Sequence, residues 1–178
     1  LSGEAVNVHL HWTLMPGHEK DFDWVLVALQ DITARKKAEE YLRYLGTHDV
    51  MTGLYNRAFF DETLHRLESE RRDPISVIVI DLNNLKTTND RYGHQTGDQL
   101  IRRTGEVLKA SLDDGYIAAR IGGDEFTVIL EELANVAEAE RVAQKLISAF
   151  EKPLELSDRQ DVVISPSIGI SIYPDHAQ

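Results

Sequence analysis

No cysteine occurs among the 178 residues of the chain. Its absence removes disulfide frameworks, thiolate nucleophiles and zinc-thiolate centres, and it fits a reducing, cytoplasmic setting. No apolar run approaches the roughly 20 residues that a membrane-spanning helix requires, and the first residues lack the order of a signal peptide. Basic charge is also scarce: Lys and Arg number 19 against 30 Asp and Glu, for a formal net charge of -11. A surface that neutralises phosphates needs clustered Lys and Arg, so this balance argues against general binding to nucleic acid or to an anionic membrane. If a ligand carries phosphate, a metal must mediate. Neither an internal repeat nor a low-complexity tract is visible.

With 42% hydrophobic residues over this length, the chain can bury one sizeable core but hardly two, so one main domain with an appendage is expected. VNVHLHWTL (6–14) and DWVLVALQDI (23–32) read as two strands joined through MPGHEKDF, where Pro16 and Gly17 end the first. Two strands alone are not a stable unit. ARKKAEEYLRYL (34–45) then switches to a helical period, with Ala34, Ala38, Tyr41 and Leu45 spaced four, three and four apart. That spacing fits an amphipathic helix lying on its own domain, and equally a short coiled-coil seam.

From His48 the pattern is α/β. NRAFFDETLHRLESER (56–71), GDQLIRRTGEVLKASL (97–112) and VAEAERVAQKLISAFEK (136–152) are helical in period. ISVIVIDL (75–82) reads as a strand buried on both faces, YIAARI and EFTVILEE as the arms of a hairpin, and VVISPSIGISIYP (162–174) as a last strand pair or one long strand. The order predicts a sheet with helices packed against it.

Two stretches carry chemistry. ARIGGDEFTV (119–128) sets two glycines and two carboxylates between strand-like arms. A two-residue turn at Gly122 and Gly123 would supply positive φ at both central positions and bare backbone for a ligand to lie against. That register would place Arg120 opposite Glu125, with Asp124 on the other face. An ordinary tight hairpin with solvated acids explains this stretch alone. The second stretch is VIVIDLNNLKTTNDRYGHQTGD (77–98), in which Asp81 closes an apolar strand where α/β sheets commonly present ligands. Lys86, Asn89, Asp90, His94 and Asp98 follow it. Each has a plainer reading: Asp98 in the first turn of a helix complements its dipole, Asn89 marks a turn before Gly93, His94 enters the helix or lies in a loop, and Lys86 is solvated.

Taken together, these stretches resemble the GGDEF family of diguanylate cyclases, enzymes that condense two GTP into cyclic di-GMP. HDVMTGLYNRAFF (48–60) is similar to the family pattern D-x-L-T-G-L-x-N-R, with Met51 in place of its leucine. DLNNLKTTNDRYGHQTGD (81–98) is similar to D-x-D-x-F-K-x-x-N-D-x-x-G-H-x-x-G-D, with Asn83 for the second aspartate and Leu85 for phenylalanine, and SIGIS (167–171) to the strand that follows. The resemblance covers residues 48–174 and implies an α/β (α+β) fold of the nucleotide-cyclase and polymerase palm type, its hairpin carrying GGDEF. It implies metal ligands at Asp81, Leu82, Asp124 and Glu125 for two Mg²⁺ per site, Mn²⁺ being also possible. It further implies catalytic roles for Glu125, Asp124 and Lys86, and GTP binding by Asn89, Asp98, Lys86, Gly122, Gly123 and Arg120. Glu125 would assist deprotonation, and Asn89 with Asp98 would read the guanine edge. The implied reaction joins two sites across a homodimer. The competing reading is a binding module that holds GTP or cyclic di-GMP and regulates an attached C-terminal phosphodiesterase domain.

Asp113 and Tyr116 stand where the family has the arginine and aspartate of its product-inhibition motif, so feedback there is not expected. The resemblance implies a helix past the position of Gln178 whose lysine and arginine hold GTP phosphates, so the expectation is either a longer parent protein or compromised catalysis. VALQDITARKKAEEYLR (27–43) resembles the end of a PAS sensor domain running into a signalling helix. The implied division is 1–33 for the sensor's last strands, 34–46 for the signalling helix and 47–178 for the GGDEF domain.

Overall fold

The computed structural model describes residues 3, 5–16, 25–131, 136–151 and 166–174. It divides into two compact units, Leu1–Tyr44 and Leu45–Gln178.

In the first unit, β1 (Val8–Leu14) pairs antiparallel with β2 (Val25–Asp31), with Leu10 opposite Leu29 and Trp12 opposite Val27. Strand alternation therefore gathers Val8, Leu10, Trp12, Leu14, Val25, Val27 and Leu29 with Asp31 on one face, and leaves His9, His11, Thr13, Leu26, Ala28 and Gln30 on the other. The apolar face is bare: Trp12 is 58% and Leu29 67% exposed. Asp31 caps the following helix by accepting from Thr33 N at 2.8 Å, and Thr33 Oγ1 accepts from Asn7 N at 2.8 Å. That helix, α1 (Thr33–Thr47), buries no residue; Ala34, Ala38 and Tyr41 are exposed and Leu45 is half-buried.

The second unit is built on a mixed sheet of five strands in the order β3-β5-β6-β4-β7. These are β3 (Tyr55–Asn56), β4 (Ile75–Leu82), β5 (Ile117–Gly122), β6 (Glu125–Glu131) and β7 (Pro166–Tyr173). Among the described residues only β3 and β5 run parallel; β4 sits between antiparallel β6 and β7. Ile78, Ile80 and Leu82 of β4, Phe126, Val128 and Leu130 of β6 and Ile172 of β7 form one face of the sheet. Onto it pack Leu100, Ile101 and Leu108 of α4 (His94–Ser111) and Val142, Leu146 and Phe150 of α5 (Val136–Phe150). The opposite face is covered by α2 (Arg57–Glu70), whose Phe60 and Leu67 meet Ile75, Ala119 and Ile129. The palm-like arrangement of central sheet and flanking helices is as expected.

Four expectations need correction. The 75–82 strand is not buried on both faces, since Val79 is 46% exposed: α2 reaches Ile75 but leaves the half of that face leading to Asp81 open. The segment after it forms a helix of its own, α3 (Leu85–Tyr92), ended by Gly93 at φ 85°, a conformation glycine adopts without steric cost. Helix α4 consequently starts at His94, which puts Asp98 in the second turn, outside the reach of a first-turn dipole effect. Strand β7 runs from Pro166 to Tyr173, and residues 162–165 of the expected last segment, like 17–24 of the first connection, lie outside the described residues. The fourth correction concerns the hairpin register and belongs to the site.

Candidate active site

Strand β4 delivers Asp81, half-buried, at its carboxyl end. Directly opposite across the antiparallel ladder stands Glu125, the first residue of β6. Residues opposite one another in such a ladder project from the same face, so the two carboxylates are neighbours on the open side of the sheet. Ser167 of β7 flanks Asp81 on the other side, and its hydroxyl donates to Asn83 Oδ1 at 3.0 Å.

The β5–β6 connection differs from the expected register. Gly122 pairs with Glu125, so the two central residues are Gly123 and Asp124, and only Gly123 has positive φ, at 48°. The ladder slips by one residue between Arg120 and Gly122, and Arg120 pairs with Phe126 where Glu125 was expected. A bulge of this kind lets one strand carry an extra residue and re-aims the side chains around it. Arg120 thereby turns to the face away from Asp81 and Glu125, and Asp124 lies in the turn, off the ladder, instead of on the face opposite Glu125. The Asp124 carbonyl accepts from Leu82 N at 3.1 Å, which locks the turn to the end of β4.

Arg120 is fully engaged. Its Nη2 and Nε donate to the Gly123 carbonyl at 2.8 and 3.2 Å, and its Nη1 reaches both carboxylate oxygens of Asp49 at 3.4 and 3.3 Å. Asp49 Oδ1 also accepts from Thr52 N at 2.9 Å and Thr52 Oγ1 at 2.7 Å. Burial pushes the Asp49 carboxyl up, but the two bonds from Thr52 and the nearby guanidinium outweigh it and hold the group below its ordinary value. Asp49 is not among the site residues expected from the sequence. The usable signal was Asp-x-x-Thr, a spacing at which the carboxylate can accept from both donors of the later residue.

The other expected residues lie on α3 and α4. Lys86 is exposed in the first turn of α3, and Asn89 follows one turn later on the same side. Asn89 packs against Gly97 so closely that a Cβ there would collide with Asn89 Oδ1, and that oxygen is buried with no hydrogen-bond partner. Asp98, half-buried, is the next residue, so α3 and α4 bring Asn89 and Asp98 into one neighbourhood. His94 opens α4 and is exposed. Asp113 is exposed and paired with Lys145 at 3.0 Å, while Tyr116 packs half-buried against the core.

Among the described residues no group of three or more His, Cys, Asp or Glu side chains is gathered as a metal cluster. In kind, however, Asp81, Glu125, Asp124 and the Leu82 carbonyl offer only oxygen donors, the set that a hard divalent cation takes.

A mixed sheet with a carboxylate pair at one strand end and a helix pair beside it is a palm-type α/β domain. The chain belongs to the diguanylate cyclase GGDEF-domain family, whose model matches residues 46–178. It is 39% identical over 162 residues to diguanylate cyclase TpbB of Pseudomonas aeruginosa, an alignment that takes in 89% of this chain and 37% of that protein. The chain thus spans little more than a third of that relative's length. Among solved structures it resembles the GGDEF domain of TpbB from the same species, at TM-score 0.68 and 41% identity, covering 73% of this chain and 77% of that one. It also resembles the coiled coil and GGDEF domain of DgcB from Caulobacter crescentus in complex with c-di-GMP, at TM-score 0.71 and 27% identity, covering 79% and 76%.

Proposed function

We propose that the chain is the catalytic part of a diguanylate cyclase, condensing two GTP into cyclic di-GMP with release of pyrophosphate. The observation that carries this reading is the placement of Asp81 directly opposite Glu125 beside the GGDEF turn, on the open face of the sheet. Asp81, Glu125, Asp124 and the Leu82 carbonyl would hold two Mg²⁺ or Mn²⁺. When bound, such ions offset triphosphate charge and make the ribose 3′-hydroxyl easier to ionise. Their presence would reconcile an acidic chain with a polyanionic substrate.

The chain's own side chains then divide the work. Glu125, at the ladder's edge and exposed, accepts the 3′-hydroxyl proton. Gly122 and Gly123, bare and exposed, let the nucleotide lie against the backbone. Lys86 reaches for the triphosphate as a mobile point charge. With the Asn89 oxygen turned into the protein, its Nδ2 is the end left to donate to the guanine carbonyl edge, while Asp98 accepts from N1–H and the exocyclic amine. Arg120 contributes by holding the turn.

Each domain offers one such site and the reaction joins two nucleotides, so two copies of the chain must face each other. The exposed positions of α1 are the proposed means, as the end of a PAS sensor running into a signalling helix; the likeness to a coiled coil joined to a GGDEF domain supports this. The test is to incubate the full-length protein with GTP and Mg²⁺, with ATP as control, and to measure pyrophosphate and cyclic di-GMP. Stoichiometric appearance of both is the expected result. Binding of GTP with no turnover would instead support the regulatory-module reading.

A further inference from the structure

We infer that Asp49 is a positioning residue for the GGDEF turn, acting through Arg120. Two donors of one guanidinium converge on the Gly123 carbonyl, at 2.8 and 3.2 Å. A planar fork on a single acceptor fixes the orientation of the peptide that leads into Asp124. The fork is held from its far side by Asp49, and Asp49 by both donors of Thr52. Thr52 is buried against α4, where a Cβ on Gly105 would come within 2.8 Å of Thr52 Cβ, so the anchor rests on the core. The Arg120 side chain is only 12% exposed. In such a setting the loss of one partner leaves the other charge stranded, and the geometry it imposed goes with it.

Two further contacts bear on the pair. Met51, standing where the family pattern has leucine, places its sulfur 3.5 Å from Arg120 Nη1, a third and weaker contact on the same group. Asp49 also lies two residues beyond Thr47, the last residue of α1, and the Gly46 carbonyl in that final turn accepts from Asn56 Nδ2 at 3.1 Å. The end of α1 is thereby fastened to the N-cap of α2, and one ion pair separates it from the turn that carries Asp124 and Glu125.

The kinetic half of the test rests on the proposed cyclase reaction, and the exchange half does not. Asp49→Asn, Asp49→Glu and Arg120→Lys are made in the full-length protein. Backbone hydrogen exchange of residues 121–127 is followed without nucleotide, and kcat and KM for GTP are measured in parallel. Asp49→Asn is expected to lower kcat by about tenfold or more while KM stays within about threefold, because a small misplacement of reacting groups acts on the chemical step. It should speed exchange at Asp124 and Glu125 while the central amides of β4 and β6 stay protected, and Asp49→Glu should recover part of both effects. Unchanged kcat and unchanged exchange in Asp49→Asn would overturn the inference. So would exchange rising equally along the whole of β4 and β6, which marks a general loss of stability. If the wild-type protein makes no cyclic di-GMP, the proposed reaction falls while the exchange measurement still decides the role of Asp49.

Discussion

Asp49 and Arg120 are 71 residues apart in the chain, yet the guanidinium meets both carboxylate oxygens at 3.3 and 3.4 Å. The pair ties the loop after α1 to the turn between β5 and β6. Burial raises the Asp49 carboxyl while Thr52 and Arg120 together hold it lower, for a net depression. A carboxyl depressed in the folded state stabilises the fold above its unfolded value of about 3.9, and that contribution is lost as pH falls through the folded value. Wild type and Asp49→Asn are therefore expected to differ most in Tm near neutral pH and to converge below about pH 4. Thermal unfolding across that range checks it. A gap that stays constant with pH would show that the charge is not what stabilises the loop.

Asp81→Asn and Glu125→Gln are each expected to reduce turnover by roughly 10² or more, as happens when a metal ligand or a transition-state group is lost. Neither side chain packs in the core, so circular dichroism and Tm should be retained. Turnover within about threefold of wild type for both would remove their assigned roles.

Gly97 and Gly105 both lie in α4, but filling them should have different consequences. A methyl at Gly97 meets the tip of the Asn89 side chain, which can rotate away. Gly97→Ala is thus expected to raise KM for GTP by about tenfold with little change in Tm. A methyl at Gly105 meets Thr52 at 2.8 Å at Cβ and 3.3 Å at its backbone oxygen, neither of which can swing aside. Gly105→Ala should cost about 1–3 kcal/mol of stability. Paired Tm and KM measurements test the ranking, and the opposite order would contradict it.

Product feedback is expected to be absent at Asp113 and Tyr116. Asp113 is committed to Lys145 at 3.0 Å, and Tyr116 lies against the core. A carboxylate in place of a guanidinium repels a dianionic product. Initial rates with added cyclic di-GMP should match those without it, and strong noncompetitive inhibition would overturn the assignment.

Helix α1 presents Tyr41 at 61% and Leu42 at 66% exposure. If its seam holds two copies together, Tyr41→Glu with Leu45→Glu should weaken the dimer and make the rate second order in protein, since the two nucleotides would then meet only by diffusion. Sedimentation and rate against protein concentration give the answer. Specific activity equal to wild type at every dilution would leave α1 without that role.

The sequence made the main elements legible wherever one physical signal dominated. The apolar run of β4, the hairpin arms β5 and β6 and the helical periods of α2 and α5 appear within a residue or two of where the pattern puts them, because burial drives both pattern and structure, while α4 begins three residues before its expected start. The eight-residue α3 was missed because Lys86, Thr87, Thr88, Asn89 and Asp90 carry almost no apolar period; only Leu85 is buried in it. The turn was misread by one position because a bulge leaves no mark in composition. Two adjacent glycines fit a two-residue turn at either pair of positions, and the turn at Gly123 and Asp124 goes with the grip of Arg120 on the Gly123 carbonyl, a grip that Asp49 holds from outside the hairpin. Asp81 and Glu125 were legible as candidates, but their face-to-face placement was not, since it depends on how β4 and β6 align.

That alignment has a consequence for error. Along β6, Glu125 and Phe126 occupy opposite faces, the first beside Asp81 and the second in the core. Sliding β6 past β4 by one residue would carry the carboxylate to the wrong side, and in the same movement would turn Phe126, Val128 and Leu130 outward. No half-right arrangement keeps the core and scrambles the pair, or the reverse. A molecule with its carboxylate pair in place is therefore one with its core in register, so a titration of intact sites also counts the correctly packed molecules.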